Sequence, residues 1–255
     1  MPVTVGKILE LCDQIAPREA AEEWDNVGLL AGSVKSPVRN VLCAMDLTEA
    51  VVNEAVQKGA ELIVTHHPLL FSPLRSLTDL EPTQRRVLRL AEKGIGLISM
   101  HTNLDIAEGG VNDVLIRLLG AEPEAALDEG CGRIGTLPQA IELPAFLTLC
   151  KQRLQVPTLR FVDGGKPVSR LAVMGGAGAG SLEQAAAAGC DTYVTADVKY
   201  HQFQRAAELG LSLVDADHFY TENPVIAELA RRLSAQFPDV SFSISKKHEA
   251  CIRFA

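Results

Sequence analysis

Short apolar runs that alternate with helical patterns constrain this chain more than any other feature. RNVLCAM (39–45), ELIVT (61–65) and IGLISM (95–100) read as strands. TEAVVNEAVQKG (48–59) and PTQRRVLRLAEKG (82–94) between them read as helices. The order recurs with SRLAVM (169–174), SLEQAAAAG (181–189), DTYVT (191–195), YHQFQRAAELG (200–210), LSLVD (211–215) and ENPVIAELARRLSAQ (222–236). A helix between successive strands returns the chain to the same end of the sheet, so pairing is mainly parallel and the fold class is α/β.

The two series also resemble each other. Residues 41–67 lie without a gap on 171–197, an offset of 130, and 91–105 lie on 207–221. This predicts two related βαβ-rich halves, 1–125 and 126–255, from an internal duplication enclosing a dinuclear metal site. The stretch of about 126–168 supplies a linker and extra strands. The alternative is that all βαβ units share such a pattern.

With 255 residues, 47% hydrophobic and 22% charged, the chain has the composition of a globular protein with a substantial core. Its net charge of -8 argues against a nonspecific grip on nucleic acid. No run of about 18 apolar residues predicts a membrane span. MPVTVGKILELCDQIAP reads as an amphipathic helix rather than a signal peptide. The six cysteines are scattered without a CxxC, which predicts reduced thiols of a cytoplasmic protein and no cysteine zinc site.

Open α/β sheets carry their sites beyond the carboxyl ends of the strands. Those ends here read VT-HH, SM-HTNLD, VT-ADVKYH and VD-ADHFYTE. Five of the six histidines (66, 67, 101, 201 and 218) fall there, with Asp105, Asp197, Asp215, Asp217 and Glu222. Adjacent strand residues point to opposite faces, so His66 and His67 can share a site only where the strand ends and turns, and Pro68 favours that. Otherwise one is buried and the other a surface residue.

With facing halves, His66, His67 and Asp105 meet His218 and Glu222. Three histidines and two carboxylates exceed one tetrahedral shell and suit two divalent ions with mixed nitrogen and oxygen ligands. Zinc, iron, manganese, nickel and cobalt all accept such ligands. His101 reads as support or proton transfer, His201 as surface or ligand, and His248 as a solvated surface residue. GGAGAG (175–180) reads as a tight strand-to-helix turn, with anion binding as the minor option. In EEWDNVGLLAG (22–32), the plain reading is an Asp/Asn turn beside a buried Trp24.

EEWDNVGLLAG, VTHHPLLF, SMHTNLDIAEGGVND, TADVKYH and DADHFYTE, in this order, resemble the Nif-three-like family, the GTP cyclohydrolase I type-two homologs. The resemblance runs end to end and matches the short form without an inserted domain. It implies two related α/β halves, a dinuclear centre and a homohexamer. It carries the family's metal ligands onto His66, His67, Asp105, His218 and Glu222. His101 falls beside the metals, and Trp24, Asp25 and Asn26 near the site mouth. Ala196 and Asp217 stand where the family usually has glycine.

Two functions are compatible with these residues. One is a metal-dependent hydrolase acting on a small molecule such as a nucleotide or related heterocycle, with GTP cyclohydrolase-like ring opening as one version. There the ions acidify a water, and His101 or Asp25 moves protons. The other is a non-enzymatic metal-binding or interaction protein, acting in metal handling, as a scaffold or as a regulator.

Overall fold

The computed structural model describes residues 2–254. Its elements begin with α1 (Val5–Ile15), β1 (Gly28–Ala31), β2 (Asn40–Ala44), α2 (Glu49–Lys58), β3 (Leu62–Thr65), α3 (Pro82–Lys93), β4 (Gly96–Ser99), α4 (Thr102–Ile106) and α5 (Val111–Leu118). There follow β5 (Ala125–Leu127), β6 (Gly132–Ile141), α6 (Leu143–Leu154), β7 (Arg160–Val162), β8 (Val168–Val173), α7 (Leu182–Ala187) and β9 (Thr192–Thr195). The chain ends with α8 (Tyr200–Leu209), β10 (Ser212–Asp215), α9 (His218–Glu222), α10 (Pro224–Gln236) and β11 (Ser241–Ile244).

The chain forms two compact units. One comprises Met1–Glu108 with Ile226–Glu249, the other Gly109–Val225 with Ala250–Ala255. The contacts thus divide the chain otherwise than at 125/126, because a late segment returns to the first unit. That return is visible in β11, which pairs in parallel with β2, Phe242 opposite Val41.

The first unit holds a five-stranded sheet, β1-β4-β3-β2-β11, parallel except for β1. Every residue of β3 and β4 is buried, as expected for parallel strands covered on both faces. Leu42, Ile63 and Leu97 pack with Val51, Ala55 and Leu90 from α2 and α3. Local sequence sets the helix ends. Thr48 caps α2 by accepting from the Val51 amide, and Glu81 caps α3 beside Pro82. Gly59 and Gly94 end these helices in the left-handed conformation.

The second unit holds a six-stranded mixed sheet, β5-β6-β8-β9-β10-β7, with β8, β9 and β10 parallel and the others antiparallel. One side packs Phe146, Leu171 and Val214, the other Ala172, Tyr193 and Leu213. Registers can be compared between the units. Val41 faces Leu62 in one and Leu171 faces Thr192 in the other. Leu62 faces Gly96, and Thr192 faces Ser212. Among the described residues no helix is long and apolar enough to cross a membrane. All six cysteines are free thiols. Burial pushes the Cys43 thiol up to about 12, so it stays protonated.

Candidate metal centre

In the first unit the chemistry collects where β2, β3 and β4 end. Beyond Thr65 the ladder stops. The Thr65 hydroxyl donates to the His67 carbonyl at 2.9 Å and so accepts from Ser99 Oγ at 2.8 Å. This turns the chain, and the rings of His66 and His67 come together with centroids 5.0 Å apart rather than on opposite faces. The His101 ring joins them at 5.2 and 5.5 Å. Each of the three histidines offers a nitrogen within 4.8 Å of the others, a set that could hold a metal ion.

Hydrogen bonds decide which nitrogen is offered. His66, fully buried, has Nδ1 2.8 Å from the Met100 carbonyl. A carbonyl only accepts, so Nδ1 carries the proton and the lone pair lies on Nε2. That Nε2 faces Asp105 Oδ1 at 3.7 Å. His67 Nδ1 lies 2.7 Å from Asp46 Oδ1, which leaves its Nε2 as the acceptor nitrogen. His101 Nδ1 lies 3.0 Å from Asp25 Oδ1. Asp25 also accepts from the Thr102 amide at 3.0 Å and hydroxyl at 2.6 Å. Burial works against the Asp25 charge, but the bonds from His101 and Thr102 outweigh it and hold the carboxyl well below the usual carboxylate range. Asp25 is therefore an anion that orients His101.

In the second unit His218 and Glu222 stand one turn apart on α9, with Nε2 3.0 Å from Oε2. His218 Nδ1 lies 2.8 Å from Asp197 Oδ2. With Nδ1 held by one carboxylate and Nε2 facing another, this imidazole could share a cation with Glu222. Glu222 is buried. The GGAGAG turn brings it close: Gly176 has φ +62°, and a Cβ there would lie 2.1 Å from Glu222 Oε1 and 3.2 Å from His218 Cε1. Two of the turn's amides are engaged within the protein, Gly175 with Asn112 Oδ1 at 2.8 Å and Gly176 with Thr221 Oγ1 at 3.0 Å. The tight-turn reading describes this loop, with Gly176 serving the close approach of Glu222.

The remaining candidates divide. Asp215 pairs with Arg160 and accepts from the Val198 and Asp217 amides, each at 3.1 Å, so it braces the loop. Asp217 adopts φ +64°, ψ 142° and caps α9 by accepting from the Phe219 amide at 3.0 Å. Burial raises its pKa. Ala196 is fully buried. His201 is exposed on α8.

Two expectations need correction. Trp24 is not a buried indole but 61% exposed, because the turn that buries Asp25 points its neighbour outward. His248 is not a solvated surface residue. It is half-buried, and its Nδ1 accepts from the Met45 amide at 2.9 Å, since β11 carries the C-terminal segment back beside β2. Burial lowers its pKa, against the nearby charges of Asp46 and Glu54. Residues missed in the sequence include Asp46, which orients His67, and Gly176. The position of Asp46 just past β2 was the available signal, since strand ends were where the chemistry was sought.

The donor chemistry fits a cation. His66 Nε2 and a carboxylate oxygen face each other in one unit, and so do His218 Nε2 and a carboxylate oxygen in the other. Comparison with known proteins agrees with the motifs. The chain is 34% identical over 252 residues to a GTP cyclohydrolase 1 type 2 homolog of Clostridium perfringens, covering 95% of this chain and 96% of the relative. It is 40% identical over 201 residues to the homolog of Nostoc sp., covering 76% of each. A Bacillus cereus protein related to NIF3 has a crystal structure that superposes with a TM-score of 0.90 at 25% identity, covering 100% of both chains. With residues 3–250 matching the model of Duf34/NIF3 (NGG1p interacting factor 3), the chain belongs to the Duf34/NIF3 family.

Proposed function

We propose that the protein is a hydrolase dependent on divalent metal ions, acting on a nucleotide or related heterocycle. Ring opening of a GTP-like purine is the reaction closest to the names of its relatives. In this reading the ligands of two ions are His66, His67, Asp105, His218 and Glu222. Zinc, iron, manganese, nickel or cobalt would suit these donors. We further propose that the two sheets are duplicates, a reading supported by the matching registers.

One observation carries the functional reading. His66, His67 and His218 each have Nδ1 against an acceptor, a carbonyl for the first and carboxylates for the others. Partners of this kind fix the tautomer that a metal requires and raise ligand basicity. When bound, divalent ions supply an acidified water and positive charge for a developing oxyanion. The protein's own groups do the rest. The Met100 carbonyl and Asp46 orient His66 and His67. His101 accepts a proton at Nε2, and the Asp25 anion at Nδ1 stabilises the resulting imidazolium.

The test combines metal content with turnover of GTP. His66→Ala should lose metal and rate together. His101→Ala should keep its metal and lose roughly 10²–10⁴-fold in rate, as for a general acid or base. Metal-loaded protein that turns over no nucleotide, ester or heterocycle would refute the hydrolase. The convergence of His101 with His66 and His67 favours a second reading, a protein that holds metal without turnover, with His101 as a ligand. In that case His101→Ala loses metal. The homohexamer is part of the proposal through the family, and a monomer by light scattering over a broad concentration range would remove it.

A further inference from the structure

Trp24, the only tryptophan, is 61% exposed, and Phe71 is 52% exposed. Both rings contact His101, with centroids 5.9 and 5.7 Å from the imidazole and planes at 77° and 79° to it. They are held in place by the residues that follow Trp24. Asp25 grips His101 and Thr102. Asn26 Nδ2 donates to the Leu70 carbonyl at 2.6 Å, which ties the backbone before Phe71 to the same turn. Trp-Asp-Asn thus works as a unit: one ring, one anchor to the imidazole, one anchor to the second ring.

Large aromatic rings left in water, on neighbouring backbone segments tied together by hydrogen bonds, mark a surface built for a ligand. We propose that Trp24 and Phe71 are stacking walls beside His101 that take the flat ring of a nucleobase-type heteroaromatic compound. This names the substrate class of the proposed hydrolase and rests on that reading. A planar heterocycle fits better than an aliphatic ligand. Every such ring has a π-face to set against indole or phenyl, and its edge can meet the imidazole. Aromatic side chains, with few rotatable bonds, also cost less to order than long flexible ones. Asn26 is a positioning residue here, acting through Leu70.

Since Trp24 is the sole indole, its fluorescence reads the wall directly. The protein would be titrated with guanosine, and separately with ribose 5-phosphate, in the presence of a metal chelator, with absorbance correction. Guanosine should quench the emission saturably and ribose 5-phosphate should not. Phe71→Leu retains an apolar side chain without a π-face and should weaken guanosine binding by roughly tenfold or more. Trp24→Leu, followed by equilibrium dialysis, should do the same, with unchanged circular dichroism in both variants. Asn26→Ala should weaken binding, and Asn26→Gln should restore part of it.

No saturable response to guanosine, or wild-type affinity in Phe71→Leu, would overturn the proposal. So would emission that shifts with protein concentration alone, which would mean that a second copy of the chain covers these rings. Because no turnover is measured, the two readings fail separately. Guanosine binding without hydrolysis in metal-loaded protein sinks only the hydrolase, and hydrolysis without quenching sinks only the stacking walls.

Discussion

Gly176→Ala tests whether glycine is required for the close approach of Glu222. Two effects add. The backbone sits at φ +62°, where an L-residue pays about 1–2 kcal/mol. The new Cβ would also lie 2.1 Å from Glu222 Oε1 and 3.1 Å from its Cδ, so the carboxylate must move. Overpacking of this kind costs about 1–3 kcal/mol. Together the loss should be about 2–5 kcal/mol. Gly189 is the control, since it lies in the same unit at φ +76° with nothing within 4 Å of a built Cβ. Gly189→Ala should show the backbone cost alone. Urea unfolding followed by circular dichroism gives the difference, and metal titration of Gly176→Ala should show weakened binding as Glu222 is displaced. Equal losses in the two variants, to within about 0.5 kcal/mol, would refute the steric argument.

Three other expectations follow from particular contacts. Asp217→Gly should stabilise the fold by about 1 kcal/mol, because it relieves strain of about 1–3 kcal/mol while the lost cap costs only a few tenths; a lower thermal midpoint would count against this. Glu54 is buried and bonded to Lys58 at 2.8 Å, Ser245 at 2.5 Å and the Lys246 amide at 3.0 Å. Burial opposes its charge, but these partners win and lower its pKa from 4.5 to about 2. Its contribution is therefore fully present above pH 4.5 and lost as pH falls through about 2. With Lys58 partly exposed to solvent screening, that contribution is about 1–2 kcal/mol. Urea midpoints of Glu54→Gln and the wild type should converge over that acid range, and a constant gap would contradict the assignment. Asp46→Asn should weaken metal binding by roughly 10–100-fold in a chelator competition while the fold persists; unchanged affinity would show that the His67 contact does not orient a ligand.

Local sequence was enough for the alternating order from β2 to β4 and from β8 to β10, and for where to look for chemistry, but it did not announce α5, α6 or β11. Apolar runs such as ELIVT and IGLISM must be covered on both faces, and their ends must open into loops. His66, His67, His101, Asp105, His218 and Glu222 could therefore be placed at strand and helix ends before any packing was known. The resemblance to a family added roles that spacing alone left open.

Tertiary structure decided what depends on residues far apart in the chain. Nothing near His67 in sequence announces Asp46 as its partner, because the two meet only through the pairing of β2 with β3. His248 reaches Met45 only because β11 adds to β2, and Trp24 faces water only because Asp25 turns inward to His101. The glycines of GGAGAG look like phosphate-loop glycines until Glu222 is seen against Gly176. Periodicity records what each residue does to its neighbours along the chain. Which nitrogen of an imidazole keeps its proton, and which ring stays exposed, are set by partners that arrive when the sheet closes.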